Sequence, residues 1–333
     1  MPKKKITFWI RFRRNPTVVR FIGVLNQYSI TNVLPLIKKK MTRKLLFIAA
    51  ALSIVACSKD DSTSPSTNTG NGGSINSTVP STFTQKVLIE TFTGAGQSQC
   101  TDGFVKLDNI LATNAAKAIP VAIHYSDAME INQYTTLQNA FSNGAAPQFP
   151  SAMINRTSSL GMLIFNRTQW QSNFDVNKVK AASCGLSIKS TINGNQGTAE
   201  IHCGFNSSLT GNYTLTAYLV EDNITGSGSF YDQRNGYNTT AGHPYYNLGD
   251  PILNFNHKYV LRKVVSAELG DAISSTNIKA GGEEIKNYSF STTGMNSANL
   301  YVVAFISKNG SSSTDKFVLN AQKVKIGNTQ NWD

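Results

Sequence analysis

The chain is poor in the residues that build reactive centres. It has four cysteines and four histidines in 333 residues. His124, His202, His243 and His257 form no His-x-x-x-His or His-Glu-x-x-His pair, so no zinc motif stands out. The nearest approach to a ligand set is His243, Asp250 and His257, three scattered residues. No Gly-x-Ser-x-Gly elbow supports the hydrolase reading that His124 before Ser126-Asp127 invites. No Gly-Lys-Ser or Gly-Lys-Thr loop offers a phosphate cradle. These absences leave no defended catalytic constellation, and no cofactor or metal is expected.

The longest stretch without acidic residues is the N-terminal one. Residues 1–56 hold 12 of the 31 Lys and Arg and none of the 19 Asp and Glu. From residue 57 onward, 31 − 12 = 19 basic residues meet 19 acidic ones. The net charge of +12 therefore belongs to the first 56 residues. A nucleic-acid partner needs a basic face in the folded part, and the composition supplies none.

Within that basic segment, Lys38-Lys39-Lys40-Met41-Thr42-Arg43-Lys44 is a positive n-region and 45–56 an apolar stretch. The stretch is too short to cross about 30 Å of hydrocarbon. It ends Ile54-Val55-Ala56-Cys57, which resembles a bacterial lipobox, with Ser58-Lys59-Asp60-Asp61 after it. The expectation is a lipoprotein signal peptide over 41–56 and lipidation of Cys57. An ordinary secretory signal with an incidental cysteine is the plainer alternative. Residues 1–40 are read as upstream translation. Residues 57–83, rich in Ser, Thr, Asn and Gly, read as a flexible tether.

The folded part is expected to begin near residue 84. Val87, Leu88 and Ile89 open a buried strand, and Thr93, Gly94 and Gly96 break it. After Cys100, Phe104, Leu107, Ile110 and Leu111 recur at helical spacing. Strand, thiol-bearing turn and helix are where thioredoxin-type proteins carry Cys-x-x-Cys. Here Gln97 occupies the first cysteine position. An amide cannot form a thiolate, so dithiol exchange is excluded at this site. Ala118–Tyr125 gives a second apolar run, predicted to pair in parallel with the first. A weaker helix is expected over Tyr134–Asn143, a strand after Phe149-Pro150, and a helix opened by the capping-box spacing of Thr168 and Gln171.

The strand-turn-helix of Val87–Gly103, the run Phe149-Pro-Ser-Ala-Met-Ile-Asn-Arg156 and the later His257-Lys-Tyr-Val-Leu-Arg262 together resemble the outer-membrane-protein-28-related family of bacterial (Bacteroidetes-type) lipoproteins. The resemblance spans most of 84–328. It implies a thioredoxin-like domain followed by a β-rich domain, and a cis bond before Pro150, whose loop would face the thiol turn. The family loop reads Thr-Gly-x-x-Cys-x-x-Cys-Pro. Thr93–Thr101 aligns to it without a gap, with Gln97 for the first cysteine and Thr101 for the proline.

From residue 184 the apolar period changes to two. Cys184–Ile192 and Thr198–Cys203 alternate around the turn cluster Asn193–Gly197. Pairing positions that sum to 387 places Cys184 opposite Cys203, a candidate disulfide in an exported protein. Two buried free thiols are the alternative. Further strands are predicted over Tyr213–Glu221, Tyr259–Ala267, Ile285–Ser291, Leu300–Ser307 and Lys316–Ile326. The expected fold is an α/β thioredoxin-like domain (84–183) followed by an all-β sandwich domain (184–333).

Residues 222–256 interrupt those strands with a long loop carrying Tyr231, Tyr237, His243, Tyr245 and Tyr246 as candidate ligand contacts. Tyr beside Asn and Gly gives flat contact area with hydrogen-bonding ends. A self-packed loop capping the sandwich is the plainer reading. Two functions stay open. One is a lipid-anchored outer-membrane protein, facing the cell exterior if the Ser-Lys-Asp-Asp run acts as an export tag, with a redox-inactive scaffold and a protein or glycan contact. The other is a single-cysteine thiol protein using Cys100, with Gln97 and Pro150 lining the degenerate site.

Overall fold

The computed structural model describes residues 6–8, 21–23, 73–76, 78–142 and 147–333. The signal peptide read over 41–56 and Cys57 lie outside the described residues. Ile6–Phe8 (β1) pairs antiparallel with Phe21–Gly23 (β2).

β3 (Val87–Thr93) is buried at every position. Its alternate residues serve different cores. Val87 and Ile89 pack with Leu107, Ile110, Trp170 and Phe174. Leu88 and Phe92 pack with Tyr134, Leu137 and Phe141. Burial on both faces is why the strand reads as an unbroken apolar run. α1 (Cys100–Asn114) returns the chain to β4 (Ala118–His124), which pairs with β3 in parallel as predicted. α2 (Tyr134–Ser142), β5 (Ser151–Ile154), β6 (Phe165–Asn166) and α3 (Trp170–Lys178) follow. The predicted capping box is replaced by Asn166, whose side chain accepts from Thr168 N–H and opens a short 3-10 turn before α3. The bond before Pro150 is cis, as the resemblance implied.

The later strands are β7 (Cys184–Asn193), β8 (Gln196–Phe205), β9 (Tyr213–Glu221), β10 (Val260–Val264), β11 (Asp271–Ala272), β12 (Glu283–Ser291), β13 (Leu300–Lys308), β14 (Val318–Lys325) and β15 (Thr329–Gln330). They form two packed sheets, but one of the two is not theirs alone. β10 pairs in parallel with β4, so one mixed sheet runs β14-β13-β9-β10-β4-β3-β5-β6 across the expected boundary at residue 184. A second sheet, β12-β8-β7-β15, packs on part of it through Leu186, Ile188, Ile201, Leu215, Leu219 and Val302. The molecule is β-rich, with a mixed sheet and few helices. The separate sandwich expected from period-two patterning is corrected, because that pattern is blind to which strand lies beyond an edge.

The β7–β8 register also differs from the expected one. Cys184 faces Phe205, and Leu186 faces Cys203. The pairs sum to 389, since the hairpin turns on Gly194-Asn195, with Gly194 at φ 56. A shift of two residues keeps every side chain on its face, so alternation alone could not choose between the registers. Cys184 and Cys203 are both buried free thiols, the second of the two readings left open above.

Residues 73–76 and 78–83, assigned above to the tether, are docked. Gly185 and Gly204 pair opposite each other on β7 and β8. A Cβ on Gly185 would lie 2.2 Å from Phe83, and one on Gly204 would lie 2.8 Å from Val79 and 3.1 Å from Trp332. The two glycines thus leave a flat seat for these apolar side chains. Trp332 Nε1 donates to Asn76 O at 2.9 Å, and Thr84 N–H donates to Asp333 O at 2.8 Å. Gly185→Val is expected to expel Phe83, costing about 2 kcal/mol of burial, and to admit proteases to 73–83 while the sheets stay intact.

Arg156 joins the early and late strands. It is buried, and it donates from Nε and Nη2 to the two Glu90 carboxylate oxygens, each at 2.7 Å. Nη2 also donates to Tyr218 Oη at 3.1 Å. The guanidinium lies 4.2 Å from the Phe141 ring centroid and 4.7 Å from that of Phe305. Asn155 and Arg156 both hold positive φ, 48° and 47°. Asn155 repays the bend by accepting from Leu88 N–H at 2.7 Å through its side chain.

Candidate functional site

The site lies where β3 ends and α1 begins. Gln97 N–H donates to Gly94 O, and Cys100 N–H donates to Gln97 O, each at 3.0 Å. This tight turn delivers Cys100 as the first residue of α1. Gly103, one position beyond the first turn's middle, lets Pro150 approach: a Cβ there would sit 2.8 Å from Pro150 Cγ. Cys100 and Pro150 therefore line one cleft, with Thr93, Gly103, Phe104, Trp170 and others. The cleft holds about 40 Å³ of free space.

Cys100 is fully buried. Burial is the largest cause, and it pushes the thiol up to about 11. A helix start would favour a thiolate, but only where solvent or a cation reaches it. Gln97 is half-buried in the turn and supplies no second sulfur.

The 222–256 loop is a strap over this turn. Arg234 N–H donates to Ala95 O at 2.8 Å, and Gly236 N–H to Ser98 O at 2.9 Å. The Gln233 amide donates to Gln97 O at 3.1 Å. Tyr237 Oη donates to Gln99 Oε1 at 2.9 Å and accepts from Arg167 Nη2 at 2.7 Å. Arg167 Nε reaches Asp102 Oδ2 at 2.5 Å. His243 stacks on Tyr237, with centroids 4.2 Å apart, and its Nε2 lies 3.4 Å from Asp102 Oδ1. Burial alone would raise the Asp102 carboxyl, yet Arg167, Lys106 and His243 hold it below its ordinary value.

The predicted contact residues are thus mostly turned inward. Tyr231 packs on Gly226, and its carbonyl accepts from His257 Nε2 at 2.8 Å. Tyr237 and His243 join the Arg167 cluster. Tyr245 is half-buried at the cleft, and burial, then the Asp108 charge, push its phenol up to about 12. Tyr246 alone of the five is exposed. His243, Asp250 and His257 do not converge: Asp250 pairs with Arg234 at 2.8 Å, and His257 lies against His124.

His124 and Asp127, adjacent to the turn, do meet. Nδ1 and Oδ2 are 2.7 Å apart. Burial would raise the Asp127 carboxyl, but His124 and the Ala95 and Met129 N–H groups hold it low. An ionised carboxylate only accepts, so His124 Nδ1 carries the proton. The pair orients the turn through Ala95 and presents no hydroxyl nucleophile. Sequence reasoning missed Arg167, Asp102, Gln99 and Gln233. Their partners stand 65 to 138 residues away, and no local pattern records such a pairing.

Comparison with solved structures finds HBP35 of Porphyromonas gingivalis at 18% identity and a TM-score of 0.58. The match covers 73% of this chain and 76% of that one. At that identity the likeness is one of fold, thioredoxin-like in the neighbour. A protein from Agrobacterium tumefaciens of known crystal structure matches at 10% identity and a TM-score of 0.45, over 73% of this chain and 95% of that one. No curated protein matches the chain. The sequence profile of outer membrane protein Omp28 matches residues 136–330. That span takes in the cis-proline segment, the strap and all the later strands, more than half of the sequence, and the chain belongs to the Omp28 family of outer membrane proteins.

Proposed function

We propose that this protein is tethered to the outer membrane through lipid on Cys57, and that its thioredoxin-like layer is a redox-inert scaffold presenting a contact surface to a protein or glycan. One observation carries the reading. Cys100, the thiol that the turn carries, is buried beneath a strap that is hydrogen-bonded across it, with an amide at Gln97 where exchange would have to start. Exposed Phe230, Tyr246, Leu248 and Leu253 on the strap support a contact role for its outer side.

A thiol near 11 is about 0.1% ionised at pH 8, against about a quarter for an ordinary cysteine. Alkylation of native Cys100 is therefore expected to run at least ~100-fold slower than that of a free thiol. Insulin reduction should stay at background. Rapid labelling, or turnover comparable to a dithiol enzyme, would refute the scaffold reading. Cys57→Ser is expected to move the protein out of the membrane fraction. Retention there would remove the lipid anchor from the proposal.

A further inference from the structure

The strap does more than cover the turn. Its Arg234 and Gly236 N–H groups lie two residues apart and dock on two carbonyls of 95–98, the way one edge of an extended segment docks on another. Gln233 Nε2 takes the Gly94 and Gln97 carbonyls as well, at 3.4 and 3.1 Å. Gly236 lies so flat on the turn that a Cβ would stand 2.7 Å from Gln99 Nε2 and 3.1 Å from Ser98 O. The returning arm brings Tyr245 and Phe255 over the cleft that Cys100, Pro150 and Trp170 line. Phe255 stacks on Phe104 of α1, centroids 5.4 Å apart and planes 25° apart, and meets Tyr245 at 6.0 Å. Inside, Thr93 is 1% exposed, and its hydroxyl has no hydrogen-bond partner.

We propose that residues 233–256 form a lid whose plug is Phe255, and that access to the cleft over Cys100 is gated by its lifting as a unit. The lid is distinct from the body in what holds it. Hydrogen bonds to the turn's carbonyls, the polar contacts of Tyr237 and His243 with Gln99, Arg167 and Asp102, and one stacked ring pair fasten it, whereas the cores below are fastened by continuous apolar packing. Segments held by few apolar contacts open locally, at lower free energy than global unfolding. The inference goes beyond the scaffold reading and survives its failure, because a reactive Cys100 would need the same gate.

Three of the four cysteines provide the test. Cys184 and Cys203 are buried in the sheet-on-sheet core and report global unfolding, while Cys100 reports the lid. The full chain is treated with a maleimide at pH 8, and mass spectrometry assigns the label residue by residue. Phe255→Ala removes the plug. Gly236→Ala lifts the other arm without deleting any core atom. In both variants the Cys100 rate is expected to rise at least ~10-fold while Cys184 and Cys203 stay unlabelled. An unchanged Cys100 rate in both overturns the lid. So does acceleration of all three thiols in step, which would mean that the variants only loosen the fold.

Discussion

Arg156→Met is expected to destabilise the protein by about 4 kcal/mol, enough to leave much of it unfolded at 37 °C. The guanidinium and the Glu90 carboxylate are 2% and 0% exposed. Removing one partner strands the other charge in a site lined by Phe141, Phe305 and Tyr218, and that stranded charge dominates the cost. Glu90→Leu should cost a similar amount for the mirror reason. Combining the two changes should recover most of the loss, since an apolar pair of similar volume has no charge left to desolvate. Urea denaturation of the two single variants and the double variant, arranged as a thermodynamic cycle, measures this. Purely additive losses would mean that the pair is not coupled and would sink the account.

Acidification should weaken the fold well above the pH at which carboxylates protonate. Burial, then the His124 charge, push His257 down to about 4 from 6.5. Its Nε2–H donates to Tyr231 O, and Nδ1 is buried without a partner, so a second proton has nowhere to be stabilised. Between pH 6.5 and about 4 the unfolded chain takes up a proton that the folded chain refuses. The stability is complete above pH 6.5 and is lost as pH falls through that window. At about 1.4 kcal/mol per pH unit the loss is on the order of 3 kcal/mol. His257→Gln keeps an amide donor for Tyr231 O and does not titrate. Its stability should change about 3 kcal/mol less between pH 7 and 4 than that of the parent. Equal slopes in the two proteins would show that His257 is not the source.

His257 and Arg156 both fall inside the two short runs that resembled the family, and the structure shows what those runs accomplish. Asn155 and Arg156 turn the chain after β5 through positive φ and send a charge into the core. His257 ties the end of the strap to Tyr231, and Tyr259, at positive φ, then lends its own carbonyl to Ala122 N–H at 2.6 Å. That bond begins the β4–β10 pairing, which makes one sheet of two expected domains.

Much of the architecture was already legible in local patterns. The unbroken apolar run of β3, the helical spacing after Cys100 and the period-two alternation from residue 184 each reflect a neighbour only a few residues away. The lack of a second cysteine at the turn was equally legible, because position 97 is a glutamine. Long-range geometry was not. The hairpin register turned on which two residues took the bend, and both choices put the same side chains inward. The docking of 73–76 and 78–83 depended on two glycines, Gly185 and Gly204, that become opposite only in that register. The strap's destination depended on hydrogen bonds between residues more than a hundred positions apart. Sequence alone therefore determined the longer strands, the three helices, and that the turn before α1 carries one cysteine and not two. Only the tertiary structure decided that the long loop closes over that turn, because backbone carbonyls accept from any N–H brought to them and leave no mark in the residues on either side.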